Sequence, residues 1–147
     1  MEISIQIHDT GVNAVLERIA RKGGNMTDAL NIIGERMLRQ TDERFTRQRD
    51  ADGKPWKPLK PATLKHKKNP MILTESHHLR DSIRHQVSGG NTLRVGTNKV
   101  YGAIHQLGGK TGRGHKVTMP ARPFLGIGKE DSKDIVEVLT DWLEVAK

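Results

Sequence analysis

Five of the six prolines fall into two groups, and these groups limit where the chain can form regular structure. The first group lies within residues 55–61, and the second consists of Pro120 and Pro123. Proline has no backbone N–H donor and its ring clashes with the preceding turn of a helix, so neither group suits a helix interior or a central strand. We therefore predict a proline-rich extended arm at about residues 49–62 and a second extended segment over residues 117–127.

Outside these segments, apolar residues recur with the spacing of strands and helices. They alternate over residues 3–7, which predicts a half-buried strand. Apolar positions three and four apart predict helices over residues 12–19, from Met26 to about Arg47, from Ser76 to about His85, and from Ser132 onward. Each of these helices is expected to bury one face.

The stretch between the last two helices carries turn signals. Two glycines and an asparagine at residues 89–91 interrupt the stretch from Val87 to Val95, which predicts a hairpin. A short helix or strand is expected over residues 100–107 and a flexible glycine-rich loop over residues 108–114. Together the elements predict an α+β fold, in which a small antiparallel sheet packs against two or three helices and the proline-rich arm extends from them.

The length of 147 residues fits one domain, predicted to span residues 1–147. Leu, Ile, Val and Phe make up only about 23% of the chain, just above the level at which high charge predicts disorder. We therefore expect a thin core that neighbouring subunits complete. The chain has no cysteine, which excludes disulfides and cysteine-based zinc sites, and no apolar run long enough for a transmembrane helix. Because the N-terminus lacks the pattern of a secretory signal, we expect the protein in the cytoplasm of the cell that makes it.

Positive charge is concentrated in the middle of the chain. The net charge is +8, and residues 44–68 alone contain nine basic and two acidic side chains. Such a segment can contact DNA or an acidic protein surface, or it can be a solvated loop. Only Trp56 lies among these charges, so the segment offers little for base stacking. The candidate contact residues are Arg47, Arg49, Lys54, Lys57, Lys60, Lys65, Lys67 and Lys68.

Three motifs suggest chemistry, and the sequence argues against each of them. Residues 109–111 read Gly-Lys-Thr, but a phosphate-binding loop needs a further glycine where this chain has Ile104. His78, Asp81 and His85 would share one side of a helix and could bind a metal, although such clusters are usually solvated. His105 could act as a general base, but we favour a structural His–Gln pair that hydrogen-bonds backbone. We predict no catalytic residue, no metal and no cofactor.

The segment from Pro120 to Gly126 is the most unusual in composition. Its two prolines stiffen an extended chain, and Arg122 offers a planar guanidinium with five donors. Phe124 and Leu125 follow as an apolar anchor. The segment fits either a docking strand against a partner or a stiff connection into the last helix.

Five motifs follow one another in chain order over residues 53–128. They are Gly53-Lys54-Pro55-Trp56-Lys57-Pro58-Leu59, Ile72-Leu73 with Leu79 and Ser82-Ile83, Val95-Gly96-Thr97, Tyr101 with His105-Gln106 and Gly108, and Pro120-Ala121-Arg122-Pro123-Phe124-Leu125-Gly126. In this order the motifs resemble the phage virion morphogenesis (tail-completion) family. One departure is His77, where the family commonly has a glycine after the position of Ser76.

The resemblance implies a non-enzymatic protein that acts late in the assembly of a tailed phage. It would finish the tail at its head-proximal end, or in the neck, so that the tail joins a DNA-filled head. The implied location is the host bacterial cytoplasm during assembly, and the neck or tail end in the particle. The implied partners are other tail, neck or connector proteins, with contact to DNA as a further candidate, and no membrane.

A thin core and stiff extended segments also suit a subunit of a homo-oligomeric ring, built by head-to-tail contacts. We expect one group of residues to lie at the subunit or partner interface, namely Trp56, Leu59, Arg122, Pro123, Phe124 and Leu125. A second group is expected to be structural, namely Gly53, Tyr101, His105, Gln106, Gly108 and Pro120.

Two other classes of function stay open from the residues alone. One is a basic nucleic-acid-binding protein, or a metal-dependent nuclease of a mobile element that uses His105 and His115. The other is a toxin-like or regulatory protein of a mobile element.

Overall fold

The fold was analysed in a computed structural model, which describes residues 14, 17–18, 21, 26–67, 70–74, 78–90 and 92–145. The predicted strand over residues 3–7 lies outside the described residues, as does most of the predicted helix over residues 12–19. The described part is α+β, as predicted. None of its helices combines the length and the apolar character needed to cross a membrane.

Five α-helices account for most of the regular structure in these ranges. The longest, α1, has its apolar side chains at helical spacing and ends where Gln48 adopts a left-handed conformation. A proline opens α2, at a position where its missing N–H costs nothing. The helices are α1 (Thr27–Arg47), α2 (Pro61–His66), α3 (His78–Asp81), α4 (Gly102–Leu107) and α5 (Lys129–Val145).

The strands of the described residues form two separate antiparallel hairpins instead of the single small sheet that we predicted. In the first, β1 (Arg84–Ser88) pairs with β2 (Thr92–Gly96), and the predicted glycine turn joins them with positive φ at Gly89 and Gly90. In the second, β3 (Gly109–Thr111) pairs with β4 (Val117–Met119). The second hairpin includes most of the predicted loop over residues 108–114.

The helix predicted from Ser76 to His85 is shorter than expected. Its described part, α3, ends at Asp81, because residues 84–88 pair with β2 in the first hairpin. Leu79 and Ile83 are both buried, which their spacing predicts for a helix, but Ile83 lies outside the helix, directly before β1. The last helix begins at Lys129, three residues before the predicted Ser132. Its first turn is closed by the Asp131 carboxylate, which accepts a hydrogen bond from the backbone N–H of Gly128 (2.8 Å).

The first apolar cluster joins α1 to α5 and is called the helical cluster here. The first hairpin covers it through Val87, Leu93 and Val95. The packing follows the predicted faces of both helices. Its buried members are Met26, Ala29, Leu30, Ile33, Met37, Ile135, Val138, Leu139 and Leu143.

The second apolar cluster, the aromatic cluster, gathers residues from distant parts of the chain. The Phe45 ring lies at its centre, 5.5 Å from the Trp56 ring in an edge contact and 5.6 Å from the Phe124 ring, centroid to centroid. Three rings thus join the end of α1, the segment after it and the second extended segment. The buried members are Phe45, Trp56, Ile72, Leu79, Ile83, Phe124 and Leu125.

The extended arm predicted at residues 49–62 is not confirmed as an arm. It begins with a tight turn, in which the Asp50 carboxylate accepts hydrogen bonds from the N–H groups of Asp52 and Lys54 (2.9 Å each). Gly53 completes the turn with a φ of 83°. The backbone N–H of Trp56 then donates to the Gln48 carbonyl, and the segment ends as α2 begins. These bonds hold the segment against the end of α1.

Candidate functional site

The second extended segment runs beside α4 and is held by side chains instead of a neighbouring strand. We call residues 122–126 the clamped segment. Its first backbone N–H, that of Arg122, donates to the His105 carbonyl (2.7 Å). The backbone groups that follow are bonded by three side chains from elsewhere in the chain, those of Gln106, Arg44 and Trp56. Because buried backbone groups need partners, these bonds allow an extended strand to lie in the interior without a sheet.

Gln106 makes the most complete set of these contacts. Its Oε1 accepts hydrogen bonds from the N–H groups of Phe124 (3.0 Å) and Leu125 (2.9 Å). Its Nε2 donates to the Leu125 carbonyl (2.9 Å). One carboxamide therefore supplies the acceptor and donor that a paired strand would offer. These three hydrogen bonds are backbone contacts of the kind predicted for Gln106.

Arg44 binds the other side of the clamped segment from α1. One guanidinium nitrogen donates to the carbonyls of Phe124 and Gly126 (3.1 Å each), and the other donates to Asp131 Oδ2 (2.5 Å). Both charged side chains are buried, with Arg44 6% and Asp131 3% exposed. Burial lowers the pKa of Arg44, and the Asp131 charge opposes that shift. The guanidinium keeps its charge, since its ordinary pKa lies so high, and the pair links α1, the clamped segment and α5.

Two further contacts fasten the clamped segment to the segment after α1. The indole Nε1 of Trp56 donates to the Pro123 carbonyl (2.7 Å). In return, the guanidinium of Arg122 donates to the carbonyls of Lys57 (2.8 Å) and Pro58 (3.3 Å). Burial lowers the pKa of Arg122. The two extended segments predicted from the prolines are therefore bonded to each other.

Close backbone contact behind α4 depends on a glycine. Gly108 ends the helix with a φ of 71°, and its N–H donates to the Ile104 carbonyl (2.8 Å). A Cβ at this position would lie 2.7 Å from the Ala121 nitrogen and 2.9 Å from the Met119 carbonyl oxygen. A side chain there would push the chain that leads into the clamped segment away from α4. The close approach of residues 119–121 to Gly108 gives a physical reason for the structural role predicted for this glycine.

His105 lies on the same helix, half-buried. Burial lowers its pKa, and the charge of Arg122 lowers it further. Its Nδ1 is buried and has no hydrogen-bond partner among the described residues. Its ring makes an edge contact with the Tyr101 ring, with the two centroids 6.2 Å apart. His115, the second histidine of the nuclease alternative, is exposed in a short 3-10 turn (Arg113–His115) of the second hairpin.

The structure brings the six predicted interface residues together inside one chain. Trp56, Arg122, Phe124 and Leu125 are buried, and Leu59 and Pro123 are half-buried. Their contacts are with this chain's own residues, so the clamped segment is part of its core. Their predicted role at an interface between subunits stays a prediction. Of the structural group, Gly53 lies in the turn after α1, Tyr101 is exposed and Pro120 is half-buried just before the clamped segment.

The basic residues proposed to contact DNA or an acidic surface are mostly exposed. Arg47 lies 3.5 Å from Glu43 one turn earlier, an exposed pair that stabilises little. Lys67 is half-buried, and Lys68 lies outside the described residues. The exposed members are Arg47, Arg49, Lys54, Lys57, Lys60 and Lys65.

The candidate metal cluster does not form the helical face that its spacing implied. His78 and Asp81 lie in α3, which ends before His85. His85 lies in β1, where its Nε2 is 2.8 Å from Glu35 Oε1 on α1. Within the ranges that the structure describes, no three or more His, Asp or Glu side chains are grouped so that they could hold a metal ion.

Sequence reasoning missed the Arg44–Asp131 pair. A signal was present, because residues 33, 37, 41 and 44 continue one helical stripe at spacings of four, four and three. Thr41 and Arg44 are polar residues on that stripe, and both are buried. The Thr41 hydroxyl donates to the Met37 carbonyl (2.8 Å), whereas Arg44 bonds to residues about 80 positions further along the chain. A polar residue on a buried stripe indicates a bonded group of this kind.

Comparison with known proteins agrees with the motifs. The sequence model of the phage virion morphogenesis family matches residues 7–144. This range includes the clamped segment and the residues that hold it. The chain belongs to this family. It is 34% identical over 145 residues to the "Mu-like prophage FluMu G protein 2" of Haemophilus influenzae, covering 97% of each chain. It is 30% identical over 122 residues to the "Putative capsid assembly protein G" of Escherichia phage Mu, covering 78% of each. No solved structure matches the chain.

Proposed function

We propose that this protein acts without catalysis in tail completion and joins the tail of a phage to its DNA-filled head at the neck. The observation that carries the proposal is the match to the virion morphogenesis family over residues 7–144, with relatives from Mu and Mu-like prophages. In this proposal the protein works in the host cytoplasm during assembly and contacts other virion proteins as a homo-oligomeric ring.

The geometry of the candidate site supports a scaffold role. Two polar side chains at the centre of the molecule are bonded to backbone: Gln106 to residues 124–125, and Arg122 to residues 57–58. Arg44 is paired with Asp131 in the interior. These contacts stiffen the centre of the molecule, which suits a part that must transmit contacts between larger assemblies.

Deletion of the gene from an inducible phage or prophage tests this function. We expect electron micrographs of induced lysates to show DNA-filled heads and separate tails, and a plasmid copy of the wild-type gene to restore joined, infectious particles. Joined and infectious particles without the gene would contradict the proposal. Malformed or empty heads would contradict tail completion and would favour a role in capsid assembly, for which the Mu relative is named.

Contact with DNA is a separate part of the proposal, supported by the exposed basic residues from Arg47 to Lys65. Binding to phosphates releases counterions, so affinity for duplex DNA should fall steeply as salt rises, for any DNA sequence. Failure to bind DNA at low salt would contradict this part alone. A plasmid-nicking assay with Mg²⁺ separates the nuclease alternative, because the proposal expects the supercoiled plasmid to stay intact.

A further inference from the structure

The second hairpin lies against the end of α4 and belongs to neither apolar cluster of the described fold. Neither the helical cluster nor the aromatic cluster includes any of its residues. Each of its strands has three residues, and most positions between Gly109 and Met119 are exposed. A lone two-stranded hairpin is marginally stable in water, so contact with another protein surface would stabilise this one.

Apolar side chains are exposed on this hairpin and at both ends of the helix before it. Val100 is 81% exposed, Leu107 is 69% exposed and Val117 is 49% exposed. Val100 lies two residues before α4, Leu107 ends that helix, and β3 begins two residues later. Because α4 is only about 9 Å long, these side chains belong to one region of the molecule.

The same region is basic. The sequence has no acidic residue between Asp81 and Glu130. The hairpin exposes Lys110, Arg113 and Lys116. We call these three cations, together with Val100, Leu107 and Val117, the hairpin surface. Apart from the Tyr101 ring beside Val100, which is 41% exposed, the apolar side chains of this region are aliphatic and cannot stack on bases, so the surface fits an acidic protein better than it fits nucleic acid.

This chain carries an acidic surface of its own on α5. Glu130, Glu137, Asp141 and Glu144 are exposed and spaced seven, four and three residues apart, which places them on one face of the helix. The same face carries one exposed cation, Lys133, whose Nζ lies 3.8 Å from Glu130 Oε1, so the face stays net acidic. The opposite face is buried in the helical cluster through Ile135, Leu139 and other apolar residues. We call the four carboxylates the α5 acidic face. It is an exception in a chain whose net charge is +8.

We propose that the hairpin surface of one copy docks on the α5 acidic face of a second copy. The contact joins two different surfaces, so it is head-to-tail, and repetition closes it into a ring. Opposite charges steer the copies together and exclude the reverse pairing, while the aliphatic side chains supply the buried area. The inference rests on the proposed role as an oligomeric assembly protein and adds the surfaces through which copies meet.

Charge reversal of each surface provides the test. The hairpin variant is Lys110→Glu/Arg113→Glu/Lys116→Glu, and the helix variant is Glu137→Lys/Asp141→Lys/Glu144→Lys. Sedimentation velocity at low salt measures the association of each full-length protein, and circular dichroism checks that each variant keeps its helix content. The wild type is expected to associate, and either variant alone to weaken association at least about 100-fold, because like charges then face each other.

Mixing the two variants distinguishes a second copy from any other occupant. In the mixture, the acidic hairpin of one variant meets the basic α5 of the other, and the unaltered surfaces also remain complementary. We therefore expect the equimolar mixture to recover association. The matched control is Lys54→Glu/Lys57→Glu/Lys65→Glu, which changes the net charge as much as the hairpin variant does and should associate like the wild type.

Three results would overturn the inference: a wild type that stays monomeric, single variants that associate normally, or a mixture that stays monomeric. If the hairpin and helix variants both lose association without recovery on mixing, the two surfaces do not face each other in the assembly, and the proposed pairing is wrong. The gene deletion described above has a different readout, namely whether heads and tails are joined in electron micrographs of phage particles. Separate heads and tails combined with a failed mixing experiment would leave the proposed function standing and remove only this interface.

Discussion

The helical cluster and the aromatic cluster are held together by different kinds of contact. In the helical cluster, aliphatic side chains from α1 and α5 pack along predicted helix faces. Beside the aromatic cluster, the clamped segment is fixed by hydrogen bonds from Gln106, Arg44 and Trp56 to its backbone. Apolar packing is non-directional and tolerates small shifts, whereas such bonds need their donors and acceptors in place. The comparison teaches that side chains from three distant elements can do the work of a neighbouring strand.

Removal of Arg44 should have the largest effect, because this residue serves the clamped segment and α5 together. Arg44→Met leaves Asp131 buried without its partner and takes the donors from Phe124 and Gly126. We expect a loss of about 3–5 kcal/mol in the free energy of unfolding, measured by urea denaturation.

The matched control for that prediction is Arg47→Met, one turn along the same helix, where the side chain is exposed and pairs with Glu43. It should change stability by less than about 0.5 kcal/mol. The double variant Arg44→Met/Asp131→Leu should be more stable than Arg44→Met, since no lone charge is buried. Equal effects of Arg44→Met and Arg47→Met would contradict a stabilising role for the buried pair.

A steric test addresses the contact between α1 and the first hairpin, beside the helical cluster. Alanine normally stabilises a helix by about 1 kcal/mol relative to glycine. A Cβ at Gly34, however, would lie 2.5 Å from His85 Nδ1. Gly34→Ala should therefore destabilise the protein by about 1–2 kcal/mol, measured by thermal or urea unfolding.

The sign of this effect should reverse when the ring is removed. In a His85→Ala background, Gly34→Ala should stabilise the protein by roughly 0.5–1 kcal/mol, as at an open helix position. The same sign in both backgrounds would show that the His85 ring does not limit this contact.

The smallest expected effect is a pH dependence at His105. Its pKa is lowered by burial and by Arg122, so the unfolded chain binds a proton at higher pH than the folded chain does. The stability from neutral His105 is complete above its ordinary pKa of 6.5 and is lost as the pH falls below that value. His105→Gln should flatten the dependence of the urea midpoint between about pH 6.5 and 5. The control is His115→Gln at an exposed site, and parallel curves for wild type and His105→Gln would refute the prediction.

The sequence predicts the helical cluster better than the clamped segment for a physical reason. The faces of α1 and α5 follow from periodicity within each helix. Arg44, in contrast, finds Asp131 87 residues away, and Trp56 finds the Pro123 carbonyl 67 residues away. Periodicity carries no information about such partners, so the contacts that Trp56 makes within its own chain could not be predicted, and its role at a subunit interface stays a prediction.

Short elements were harder to predict than long ones. Leu79 and Ile83 are four apart, which fits a helix, but pairing with β2 turns the chain from residue 84 onward into a strand. Gln106 is predicted to bond backbone, but the sequence does not indicate which backbone groups, and its partners lie 18 and 19 residues further along. In both cases tertiary contacts decide between conformations that local sequence leaves close in energy.

Hydrogen exchange at the amides of Phe124 and Leu125 tests the central claim most directly, namely that Gln106 holds the clamped segment as a strand would. In the wild type these two amides should exchange as slowly as the paired amides of β1 and β2. In Gln106→Leu they should exchange at least about tenfold faster, while the matched variant Gln86→Leu, at an exposed position of β1, leaves them protected. Exchange of both wild-type amides at the rate of an exposed loop would contradict the claim.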